Sequence, residues 1–206
     1  DVSGSLEFGT VKQMKKDMVT EIAATLAFSA IQNNDKIGVI FFSDRIEKFI
    51  PPKKGRKHIL YIIRELLDFH PESRRTNIRL GLEYLTNVMK RRCTAFVLSD
   101  FIDRENFKNA MTIANRKHDV VAIQVYYRRV EELPAVGLMK IKDAETGHEQ
   151  WIDTSSRAVR RAHHDWWVNK QAELNETFTK SNVDNVSVRT DQDYVKALMN
   201  LFAKRN

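Results

Sequence analysis

At 206 residues, with 42% hydrophobic and 30% charged residues, the chain has the composition of one globular domain with a sizeable core, not of a disordered segment. Its formal charge of +7 invites a nucleic-acid reading, but the basic residues are scattered over KKGRK, RR and KRR pieces interleaved with acids and apolar residues, the pattern of a solvated surface with mild attraction for acidic proteins or anionic lipid. No apolar run approaches the ~20 residues of a membrane-spanning helix, and the single cysteine, Cys93, excludes an internal disulfide and suits a reducing compartment.

In chain order the pattern alternates helix and strand. Val11, Met14, Met18, Ile22 and Leu26 recur at helical spacing from Thr10 to Gln32, and NNDK closes that helix. KIGVIFF (36–42) is a continuous apolar strand, and Ser43-Asp44-Arg45 turns into RIEKFI, an antiparallel edge strand stopped by Pro51-Pro52. Helices through Ile59–Leu67 and Ile78–Val88 flank the loop DFHPESRRTN. CTAFVLSD (93–100) is a second buried strand, a helix spans Asn106–Arg116, and DVVAIQVYY (119–127) is a third strand.

Residues 137–154 form an inserted hairpin turning at Glu145-Thr146-Gly147. Thr154 or Ser155 is the expected cap of a long helix that buries Val159, the tryptophans of HHDWW, Leu174 and Phe178. NVSV (185–188) and a helix through Tyr194, Leu198 and Phe202 complete the chain.

Strands separated by helices imply an α/β fold: a doubly wound, mostly parallel sheet with helices on both faces, one antiparallel edge strand and the added hairpin. Residues 1–206 read as one domain. The first helix needs a strand ahead of it and the chain lacks an initiator methionine, so the first central strand is expected upstream of Asp1, where an anchor could also lie. Ligands of such sheets bind beyond the carboxyl ends of strands. Asp1 and Asp100 both stand at that end.

Asp1, Ser3 and Ser5 alternate in DVSGS, with Gly4 permitting a sharp bend. Alcohol and carboxylate oxygens are hard ligands that suit Mg²⁺, Ca²⁺ or Mn²⁺. Leu98-Ser99-Asp100 supplies another carboxylate and Thr76, in RRTNIRLGL, a third hydroxyl. Together these elements resemble the metal-ion-dependent adhesion site of von Willebrand factor A-type domains.

The likeness narrows along the chain. FGTVKQMKKDMVTEIAATLAFSAIQNNDKIGVIFFSD, TNIRLGLEYL, LSDF, ELP-x-x-G and DAETGHEQWIDTSS resemble the bacterial domain-of-unknown-function 58 family, a von Willebrand A-type group usually encoded beside MoxR-type AAA+ ATPases. The resemblance implies Ser3, Ser5 and Thr76 as direct ligands of one divalent cation, Mg²⁺ first, and Asp1 and Asp100 as carboxylates acting through water. Leu6 replaces a usual methionine, and YYRRVEELP lacks an aspartate common near that strand end.

Neutral alcohols and water-bridged carboxylates leave a cation electrophilic, able to accept an Asp or Glu side chain from a partner. Arg74 and Arg75 would rim such a site. The expected function is non-enzymatic: metal-dependent docking of a protein partner, with a MoxR-type ATPase implied by the resemblance. The expected location is cytoplasmic, including the inner face of the membrane. Two alternatives carry other expectations. A phosphohydrolase of the haloacid-dehalogenase type needs a carboxylate where Ser3 stands, and no Gly-x-x-x-x-Gly-Lys-Ser loop is present. Nucleic-acid binding would be metal-independent and steeply salt-dependent.

Overall fold

The computed structural model describes residues 1–4, 9–10, 13–143 and 145–205. Nine strands and seven helices follow in chain order among them. Two two-residue strands, β1 (Gly9–Thr10) and β2 (Gln13–Met14), pair antiparallel ahead of α1 (Lys15–Gln32). The first helix thus begins five residues later than its periodicity predicts from Thr10, because residues 9–14 include this strand pair.

β3 (Ile37–Phe42) and β4 (Ile46–Lys53) are antiparallel, as the short Ser43–Arg45 connection requires. α2 (Arg56–Asp68) and α3 (Ile78–Val88) follow. β5 (Thr94–Ser99), α4 (Lys108–Lys117) and β6 (Asp119–Tyr126) form a β-α-β unit with a six-residue parallel register from Thr94↔Asp119 to Ser99↔Gln124. After the short α5 (Arg128–Glu131) come the hairpin β7 (Leu138–Lys142) and β8 (Glu149–Asp153), then α6 (Arg157–Lys180), β9 (Asp184–Arg189) and α7 (Tyr194–Ala203). β9 pairs parallel with β6, giving the sheet order β5-β6-β9.

Helices cover both faces of this parallel sheet. On one, Met18, Val19 and Ile22 of α1 and Leu198 of α7 pack on Ile123, Val125 and Val188. On the other, Ile78, Leu82, Met111, Ala114, Leu174 and Phe178 from α3, α4 and α6 meet Val97, Val120 and Ala122. β6 is buried along nearly its whole length because it is paired on both sides and covered on both faces. A third cluster, Phe41, Ile50 and Ile62, joins β3 and β4 to α2 and takes in Val2.

One expectation needs correction. The parallel ladder holds three strands, and β3-β4 is a separate antiparallel pair, so a single mostly parallel sheet is not formed among the described residues. Asp1 and Val2 lie between the two sheets: the Val2 amide donates to Phe42 O at 2.8 Å and the Asp1 nitrogen to Leu98 O at 3.1 Å. The strand edges of β3 and β5 therefore bond to the first two residues rather than to each other.

Smaller differences have local causes. Ser156, not Thr154 or Ser155, caps α6 by accepting from Val159 N. Thr154 is wholly buried and closes the hairpin base, donating through Oγ1 to Gly137 O and accepting from Val136 N. Only Trp167 lies against the sheet, on the Tyr126 ring at 5.0 Å, whereas Trp166 is exposed. Cys93 is half-buried just ahead of β5, beside His118. The hairpin pairs Leu138–Lys142 with Glu149–Asp153, with Gly147 in the left-handed region at its turn.

Candidate functional site

The candidate site gathers at the carboxyl ends of β3 and β5. Asp1 is fixed through both oxygens: Oδ1 accepts from Ser3 N at 2.9 Å, and Oδ2 accepts from Ser99 Oγ at 2.5 Å. Ser3 is fully buried, and the next amide, Gly4 N, donates to Arg74 O at 2.9 Å, which draws the first loop against the Thr76 loop. Ser5 lies outside the described residues.

Thr76 belongs to a segment tied down on every side. Asn77 N donates to Ser43 O at 3.0 Å. Glu47 reaches across from β4, accepting from Ser43 Oγ at 2.6 Å and from the amides of Glu72 and Ser73. Burial opposes ionisation of Glu47, yet these hydrogen bonds hold its carboxyl below its ordinary range. Asn77 caps α3 by accepting from Leu80 N, and Asp103 accepts from Ile78 N at 2.8 Å. Burial pushes the Asp103 carboxyl upward against those bonds. Within this braced loop, Thr76 is buried and its hydroxyl has no hydrogen-bond partner among the described residues. A buried, unsatisfied hydroxyl costs about 1–3 kcal/mol.

Asp100 ends β5. Its Oδ1 accepts from Ile102 N at 3.1 Å and its carbonyl from Gln124 Nε2 at 3.1 Å, while Gln124 Oε1 accepts from Ser187 Oγ across β9. Phe101 follows with φ of 57°, a left-handed conformation unusual for a bulky residue, held by its packing among Phe107 and Phe178. Lys15 supplies the remaining partner of Asp100, Nζ to Oδ2 at 2.7 Å, in an almost wholly buried ion pair, with the Tyr127 ring 5.4 Å from the ammonium. Removing either member would strand a buried charge.

Loops after β3 and β5 and ahead of α3 therefore bring Asp1, Ser3, Thr76 and Asp100 into one neighbourhood, with Arg74 and Arg75 exposed at its rim. Among the described residues no group of three or more His, Cys, Asp or Glu side chains could hold a metal ion. The donors here are of another kind: alcohols and two carboxylates, hard oxygens that fit Mg²⁺, Ca²⁺ or Mn²⁺ and would give the Thr76 hydroxyl its missing partner. The Asp1 and Asp100 side chains with Lys15 carry a formal charge of −1 (−1 −1 +1), so a divalent cation would leave the cluster at +1.

Sequence reasoning missed three participants. Lys15 sits in KQMKKD, where nothing in the sequence sets it apart from Lys16 beside it, and only the fold buries it. Ser99 was masked by its neighbour Asp100. Glu145, 69 residues after Thr76, accepts from Thr76 N at 3.2 Å through Oε1. Its only signal is its place within the Asp-x-Glu-x-Gly turn.

The chain is similar to uncharacterized proteins of mycobacteria. It is 28% identical over 212 residues to Rv1480 of Mycobacterium tuberculosis (strain H37Rv) and to Mb1516 of Mycobacterium bovis, covering all of this chain but 65% of each relative's length. It is 26% identical over 163 residues to MAV169 of Mycobacterium avium, covering 76% of this chain and 93% of that protein. Among solved structures, the conserved hypothetical protein BatB from Bacteroides thetaiotaomicron superposes with a TM-score of 0.63 at 16% identity, over 99% of this chain and 94% of that one. An aerotolerance-related membrane protein from Bacteroides fragilis superposes with a TM-score of 0.66 at 15% identity, over 99% and 96%. These likenesses concern the fold alone. No helix among the described residues is long and apolar enough to cross a membrane. The match to the family model described as Protein of unknown function DUF58 runs over residues 1–173, most of the chain, and the protein belongs to that family.

Proposed function

We propose that the chain is a von Willebrand A-type domain that binds one divalent cation, Mg²⁺ first, at Asp1, Ser3, Ser5, Thr76 and Asp100, and uses it to dock a carboxylate of a protein partner. The observation that carries this reading is the Thr76 hydroxyl, buried and without a hydrogen-bond partner among the described residues, in a braced loop that Gly4 N joins to the Asp1 segment through Arg74 O. Ser3, Ser5 and Thr76 would hold the cation directly. Asp1 and Asp100, already anchored by Ser99, Lys15 and backbone amides, would act through water.

The role is binding rather than turnover. Both Asp1 oxygens are engaged by hydrogen bonds, so the residue is a positioned acceptor and not a presented nucleophile. The residual positive charge invites an anion: a carboxylate ~4 Å from a unit positive charge gains about 4 kcal/mol at an effective dielectric of ~20, before desolvation. Arg74 and Arg75 at the rim suit an acidic partner surface, and a MoxR-type AAA+ ATPase is the partner that the family resemblance implies. Capture of such an ATPase on the immobilised chain should occur with Mg²⁺, fail with chelator, and fail when the partner's docking Asp or Glu is replaced by its amide. Capture that is indifferent to chelator refutes the proposal.

A further inference from the structure

The hairpin β7-β8 projects from the region between α5 and α6, yet its tip bears on the candidate cation site. Asp143 organises the tip, its Oδ1 accepting from Glu145 N at 3.0 Å and Thr146 N at 2.7 Å, and the Thr146 amide first among these contacts holds its carboxyl below the usual range. Glu145 then extends to Thr76, accepting from its amide at 3.2 Å, and only 17% of its side chain is exposed. Arg104, in the loop after β5, lies 3.7 Å from Glu145 Oε2 and 3.6 Å from Asp143 Oδ2. The tip is therefore held between the two loops that carry Thr76 and Asp100.

We infer that Glu145 is a resting, in-chain occupant of the position at which a partner's carboxylate docks on the cation. This rests on the function proposed above. Three observations converge. Glu145 is bonded to the amide of the very residue whose hydroxyl is buried without a partner among the described residues. It brings a carboxylate of the same chemical class as the expected docking group. It also closes the charge balance: a divalent cation beside Asp1, Asp100 and Lys15 leaves +1, and Glu145 brings the total to zero. A partner must then displace Glu145, and the hairpin becomes a tethered competitor. Its tether is light, since the tip is held by Thr76 N and the longer Arg104 contacts.

The test uses the intact chain with Mn²⁺ as probe and acetate as a surrogate carboxylate, comparing wild type, Glu145→Gln and Thr76→Val by electron paramagnetic resonance of free Mn²⁺. The Gln variant retains an acceptor for Thr76 N and so keeps the fold while losing the charge. Expected is binding to wild type that acetate leaves unchanged, and about tenfold weaker binding to Glu145→Gln that millimolar acetate restores. Amide exchange at Thr76, read by NMR, should quicken when Mn²⁺ is replaced by Mg²⁺ and acetate is added to wild type in large excess. If Glu145→Gln binds Mn²⁺ as wild type does, with no acetate effect in either, while Thr76→Val does not bind, the inference falls and the cation site stands. If wild type itself binds no Mn²⁺, both fall.

Discussion

At the scale of single residues, the site consists of side chains immobilised before any ligand arrives. Thr76 is the sharpest case. Replacing it with valine removes an unpaired buried hydroxyl, so without metal Thr76→Val should gain up to about 1 kcal/mol in urea unfolding. Adding Mg²⁺ should then stabilise wild type but not the variant, because only a ligand that binds the native state shifts its stability. Loss of stability in the metal-free variant would show instead that the hydroxyl is satisfied.

His118 gives a pH prediction. It is fully buried, with Nδ1 3.5 Å from Cys93 Sγ and Nε2 without a partner among the described residues. Burial first, then Lys117 and Arg92, lowers its pKa from the ordinary 6.5. The unfolded chain protonates this imidazole below about 6.5 while the folded chain resists, so its contribution is complete above that pH and lost as pH falls toward the folded value. The stability gap between wild type and His118→Gln should therefore narrow from pH 7.5 to pH 5. A constant gap across that interval would contradict the assignment.

At the scale of elements, the periodic signals located the helices and strands well, and what they missed was set by tertiary contacts. β6 was legible as a buried strand because its apolar run is covered on both faces. β3 and β5 carry similar runs but are only partly buried, since each has an edge that meets Asp1 or Val2 rather than a full strand. The start of α1 was misplaced because Val11 and Met14 continue its spacing by chance into a segment that includes a small strand pair. Ser156 displaced its two neighbours as the α6 cap because Thr154 is consumed at the hairpin base.

The β3-β4 pair has its own test. A Cβ on Gly38 would lie 2.7 Å from Ile50 O and 2.8 Å from Pro52 N, where the ladder register shifts. Gly38→Ala should cost about 1–3 kcal/mol of stability, since backbone on the facing strand must move. An unchanged unfolding midpoint would mean the pair opens without strain.

At the scale of the whole molecule, stretches far apart in sequence are drawn together: Ser99, just ahead of Asp100, donates to Asp1, and Gly4 N donates to Arg74 O, two residues ahead of Thr76. The alternation of helices and strands behind the β5-β6-β9 ladder was legible in the sequence. The bracing was not: Lys15 under Asp100 and Glu145 over Thr76 depend on where α1 and the hairpin pack. The net charge of +7 belongs to this scale too. If it served nucleic acid, binding would be metal-independent and would weaken steeply between 50 and 200 mM salt. Docking through the cation predicts dependence on divalent metal instead.

The most direct measurement is calorimetric titration of Mg²⁺ into the wild-type chain and into Thr76→Val, which leaves the Lys15–Asp100 pair intact. A single saturable site in wild type that is absent from the variant is the predicted result. Equal heats from the two proteins, or none from wild type, would contradict a cation site built on the Thr76 hydroxyl.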